Sequence, residues 1–76
     1  MAMEPLSSCL PGRRVRLLEI HGGRELTRRL RALGLGRGDE VEVLHQGRSG
    51  TVIRRDGIRV ALGSGIAAKL LVEALA

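Results

Sequence analysis

The sequence predicts a mainly β fold: a small, strongly bent sheet of about five strands, with one inserted helix and a short C-terminal helical turn. Three observations carry this. Short alternating apolar runs recur between glycine-rich breaks. Asp56-Gly57 and the loop Gln46-Gly47-Arg48-Ser49-Gly50 are hairpin signals. A single helical period, Leu26, Leu30 and Leu33 at i, i+4 and i+7, interrupts the strands. Seventy-six residues make one small domain whose core is limited by its surface-to-volume ratio.

Residues 1–12 read as an N-terminal arm packing on the core of a domain spanning 13–76. Pro5 and Pro11 leave room only for one turn between them, which would tuck Leu6 and Leu10 onto the core. Arg14 to Ile20 is the first strand. Its apolar residues change phase between Val15/Leu17 and Leu18/Ile20, which implies burial on both sides or a bulge. The helix follows Gly22-Gly23. Glu25 suits its positive end, the later arginines its negative end, and Gly34 supplies a left-handed stop. Arg24, Arg28 and Arg31 lie opposite the leucine stripe. Gly38 falls in the next turn.

Glu40 to His45 alternates, with Val41, Val43 and His45 on the inward side. Thr51 to Arg55 and Ile58 to Leu62 form the tight hairpin around Gly57, the second strand with Ile58, Val60 and Leu62 inward. The expected core joins Leu26, Leu30 and Leu33 to Val41, Val43, Ile58 and Val60. After Gly63-Ser64-Gly65 the chain permits one helical turn and a last strand over Leu70 to Leu75. A continuous helix from Ile66 to the end competes, because Ala and Leu favour helix. Closing so small a sheet protects its edges, and an SH3-like barrel with a helix between its first two strands satisfies the pattern.

The chemistry is sparse. Net charge is +5, which suits nucleic acid, an anionic membrane surface or an acidic protein. No Phe, Tyr or Trp is present. That removes the aromatic groove used for proline-rich peptides and the stacking platform used for single strands. Cys9 is the only cysteine and sits among apolar residues, so no internal disulfide is available and a reducing, cytoplasmic setting is expected. The candidate metal ligands are His21, His45 and Cys9, which show no ligand spacing; no cofactor is expected, and ferrous iron or zinc would draw on these three with nearby carboxylates. Gly22-Gly23 before a helix matches no phosphate-binding motif. No Ser-His-Asp arrangement is legible, and the chain reads as no enzyme.

The residues Leu6-Ser7…Pro11-Gly12, Ile20…Gly22-Gly23, Arg29-Leu30…Leu33-Gly34-Leu35…Gly38, Val41-Glu42-Val43, Gly57…Val60-Ala61-Leu62 and Ala67…Leu70…Val72-Glu73 together resemble the FeoA family of ferrous iron transport proteins. The resemblance implies an SH3-like fold and an accessory role in bacterial ferrous iron uptake. The implied partner is the membrane iron permease that carries a cytosolic GTP-binding domain. The chain departs from the family at Arg37, where proline is common, at Cys9, where an aliphatic residue is common, and at Gly63-Ser64-Gly65, which replaces a more polar run. Arg24, Arg28 and Arg31 are the expected partner-binding stripe, with Arg54, Arg55 and Arg59 as a second patch. A basic nucleic-acid-binding or ribosome-associated module is the alternative, with a transition-metal sensor behind it.

Overall fold

The computed structural model describes residues 3–75. Residues 1, 2 and 76, which belong to the expected arm and domain, lie outside the described residues. The elements run β1 (Glu4–Pro5), a 3-10 turn (Leu6–Ser8), β2 (Arg14–Ile20), α1 (Gly23–Ala32), β3 (Glu40–Gly47), β4 (Gly50–Arg55), β5 (Ile58–Gly63), α2 (Ser64–Ala67) and β6 (Leu70–Ala74). The six strands form one antiparallel sheet in the order β1-β6-β2-β3-β4-β5. All five expected strands form. The sixth, β1, lies in the arm and pairs Glu4 with Val72 and Pro5 with Leu71.

The C-terminal residues are strand and not helix. Only Ser64–Ala67 makes a helical turn, and β6 then inserts between β1 and β2. Leu70 and Val72 are buried there at alternate positions. Pairing on both sides and burial outweigh the modest helix preference of Ala and Leu.

The sheet curls so that the 3-10 turn after β1 packs against β4, while α2 packs on β4, β5 and the same turn. A polar clamp fixes this closure. Gln46 Nε2 donates to the carbonyl oxygens of Leu6 and Cys9 at 3.0 and 2.7 Å, and Thr51 Oγ1 donates to Gln46 Oε1. Thr51 is 1% exposed, so its hydroxyl depends on that bond. Among the described residues no buried side-chain polar atom lacks a partner.

Two bulges set which residues face inward. β2 shifts register against β6 between Leu17 and Glu19, as its phase change foretold. β3 shifts against β4 between Val43 and His45: Val43 pairs with Ile53 and His45 with Val52, leaving Leu44 as the extra residue. The shift overturns the inward placement of His45, which is exposed, and aims Gln46 into the closure instead.

Three other expectations are corrected. Leu33, expected in the core, is 51% exposed, because α1 ends at Ala32 and Leu33 is its C-cap. Gly34 (φ 82°) then reverses the chain, its N–H bonding Arg31 O at 2.9 Å and the Leu35 N–H bonding Leu30 O at 2.8 Å. This paired capping arrangement swings Leu35 into the core, where it is 3% exposed. Ile58 has the same strand parity as Val60 and Leu62, yet it is 66% exposed because it sits at the hairpin end beyond the packed layer. Leu10 is also exposed; Leu6 and Cys9 anchor the arm. Leu26, Leu30, Val41, Val43 and Val60 are buried together with Leu35.

Candidate functional site: the basic face of α1 and its groove

α1 begins without a side-chain cap. Gly22 is the N-cap, and a Cβ there would run into the Leu26 side chain, so a glycine lets the helix start tight on its own core residue. Gly23 follows with φ 76°, a conformation open to glycine at little cost. Leu26 and Leu30 fix the helix to the sheet, which turns Arg24, Arg28, Arg29 and Arg31 outward. None of these four makes an ion pair among the described residues. Thr27, lying among them, is occupied: its hydroxyl donates to Gly23 O at 2.9 Å.

The stripe borders a groove. Arg24, Arg28 and Arg31 line one wall of a depression of about 420 Å³ whose floor includes Ile20, the half-buried last residue of β2. The depression continues into a larger one of about 810 Å³ that shares Ile20, Thr27 and Arg31 and adds His21, Leu35, Arg37, Asp39 and Arg55. Sequence reasoning missed the contributions of Ile20 and Arg37. The phase change in β2 was the available sign: the bulge returns Ile20 to the inward side opposite Leu70, where it packs against the core and borders the groove.

The second arginine patch divides. Arg54 is paired with Glu42. Arg55 Nη2 lies 3.1 Å from Asp39 Oδ1, and its Nη1 lies 3.6 Å from Asp56 Oδ2. Arg59 alone of the three is exposed without an ion-pair partner among the described residues. The neighbouring outer face carries further pairs: Arg16 bridges Glu40 at 2.9 Å and Glu73 at 3.2 Å, and the Glu40 hydrogen bond raises the Arg16 pKa further.

The candidate metal ligands stand apart in chemistry and environment. His21 Nε2 is 2.7 Å from Glu19 Oε1 on the surface. His45 is exposed on β3. The Cys9 thiol is buried and donates to Glu4 Oε1 at 3.3 Å; burial first, then that bond and the charge of Glu4, push its pKa up to about 12. A neutral thiol is a poor metal ligand. Among the described residues no group of three His, Cys, Asp or Glu converges on a point. No described helix is long and apolar enough to cross a membrane.

Comparison with known proteins extends these observations. The crystal structure of an iron uptake regulatory protein (FeoA) superposes with a TM-score of 0.87 at 31% identity, covering 99% of this chain and 100% of that one. The solution structure of a FeoA protein from Chlorobium tepidum superposes at 0.84 with 26% identity, over 95% of this chain and 70% of that one. A manganese-dependent transcriptional repressor in complex with manganese reaches 0.89 at 22% identity, over 99% of this chain and 38% of the repressor, a likeness of fold alone. No curated protein sequence matches the chain at a significant level. The FeoA domain family matches residues 4–74. With a match over almost the whole chain and a full-length relative at 31% identity, this chain belongs to the FeoA family, whose role lies in ferrous iron transport.

Proposed function

We propose that the chain is a cytoplasmic, non-catalytic accessory of ferrous iron uptake that docks on the cytosolic region of the membrane iron permease through the basic face of α1. One observation carries the docking surface: Arg24, Arg28 and Arg31 are exposed, make no ion pair among the described residues and are held on a rigid helix whose opposite face supplies the core. Arginine forks match carboxylates in bidentate geometry, so a rigid row of three recognises an acidic patch. The groove floored by Ile20 adds apolar contact beside the row. Interfaces commonly combine an apolar centre with a charged rim.

Simultaneous change of Arg24, Arg28 and Arg31 to glutamate tests the reading. The circular dichroism spectrum is expected to match the parent, and retention of the permease in a pull-down from membranes is expected to be lost. A folded variant that still retains the permease overturns the assignment of this face.

A further inference from the structure

Charged residues cross the outer face of the sheet in register. Arg14 stands opposite Glu42, Glu42 opposite Arg54, and Arg54 opposite Arg59. The signs alternate until the last step, where two arginines face each other. Like charges directly opposite on neighbouring strands repel. Arg54 has Glu42 on its other side, whereas beyond Arg59 the sheet ends.

The edge at Arg59 is open for pairing. β5 is bonded to β4 and, among the described residues, has no other strand beside it. Asp56 and Gly57 have φ of 50° and 80°, the signature of a two-residue hairpin loop with both central residues left-handed. In such a hairpin the flanking pair, Arg55 and Ile58, exchanges main-chain bonds. Alternation then turns the main-chain groups of Val60 and Leu62 toward β4 and those of Arg59 and Ala61 outward. Ile58, 66% exposed, adds apolar surface at the same edge.

We infer that β5 accepts an extended segment of a partner protein as a further strand, with an acidic side chain in register with Arg59 and an apolar one beside Ile58. The acid completes the alternating row, and the main-chain bonds supply the rest of the affinity. A second copy of this chain does not fit. β5 contains no acidic residue, so pairing β5 with its own copy leaves both Arg59 side chains uncompensated. The other edge strand, β1, is two residues long, one of them proline, and its Glu4 accepts the Cys9 thiol bond. This surface is separate from α1, so its test stands apart from that of the proposed docking face.

The test is a titration of the full ¹⁵N-labelled chain with acetyl-Thr-Val-Glu-Val-Thr-amide and with the same peptide carrying lysine for glutamate. The Arg59 and Ala61 amides are expected to shift and gain exchange protection, with the acidic peptide binding about fivefold more tightly than the basic one. Arg59→Glu is expected to reverse that preference. Ala61→Pro, which removes an outward N–H, is expected to abolish the response while the amides of Val60 and Leu62 stay protected. Equal response to the two peptides, shifts confined to α1, or no response of Arg59 and Ala61 at millimolar peptide overturns the inference. So does a shift of these amides with protein concentration alone, which would assign the edge to a second copy.

Discussion

The Asp39 carboxylate ties the end of α1 to the β4–β5 hairpin: Oδ1 lies 3.1 Å from Arg55 Nη2, while Oδ2 accepts the Gly36 N–H at 2.7 Å. Gly34 belongs to the same junction, because a Cβ there would lie 3.2 Å from Arg55 Nη1. One half-buried acid thus positions both the loop after the helix and the guanidinium beside it.

Asp39→Ala removes both bonds and is expected to cost about 1–2 kcal/mol, with Asp39→Asn recovering part of that through Gly36. The midpoint of urea unfolding for the two variants measures the split. Equal midpoints for Ala and Asn would mean that the charge toward Arg55, and not the loop bond, carries the effect.

Leu30→Ala is expected to cost about 2–5 kcal/mol, because Leu30 is 1% exposed at the centre of the core. Leu33→Ala is expected to change stability by less than about 0.5 kcal/mol, since the side chain is half in solvent. Leu35→Ala should behave like the first. The ordering of the three midpoints checks the handover from Leu33 to Leu35.

Gly34→Ala places a β-carbon on a residue at φ 82° and crowds Arg55. It is expected to lower stability by about 1 kcal/mol or somewhat more. Thermal unfolding of this variant in an Arg55→Ala background separates the two causes: any cost that remains is backbone strain.

The buried Cys9 thiol keeps its proton to about 12, whereas an ordinary thiol loses it near 9.0. The folded state thus holds a proton that the unfolded state releases. The stability from this difference is intact below pH 9 and is lost as pH rises from 9 toward 12, by at most about 1.4 kcal/mol per unit. A Cys9→Ala variant is expected to show a shallower decline over that range. At pH 8 the native thiol should react with a disulfide reagent only as fast as the chain opens.

Much of this architecture was legible in the residues. Asp56-Gly57, the glycines around α1 and the alternation of β4 and β5 are local signals, and they produced the expected elements. The β2 bulge was legible too, because its apolar residues change parity. The bulge at Leu44 was not: Val41, Val43 and His45 alternate smoothly, and the extra residue shows only in the pairing with β4. Ile58 and Leu33 have the correct period for burial but lie where the opposing layer stops, a boundary that periodicity does not contain. The ion pairing within the second arginine patch was not legible for a related reason. Asp39 and Glu42 reach Arg55 and Arg54 only through tertiary register.

The bulges at Leu18 and Leu44 have a consequence for how this fold tolerates change in length. Each absorbs one residue and inverts the parity of everything beyond it in its strand. Deleting Leu44 would remove the bulge and leave His45 opposite Val52 and Gln46 opposite Thr51, so the strand should straighten locally and keep the Gln46 latch on Leu6 and Cys9. A one-residue gap at either bulge should be far better tolerated than one elsewhere in the same strand, where it would exchange inside for outside. An alignment that places such a gap away from the bulge would misassign inside and outside for every residue between the two, even where its identities look convincing.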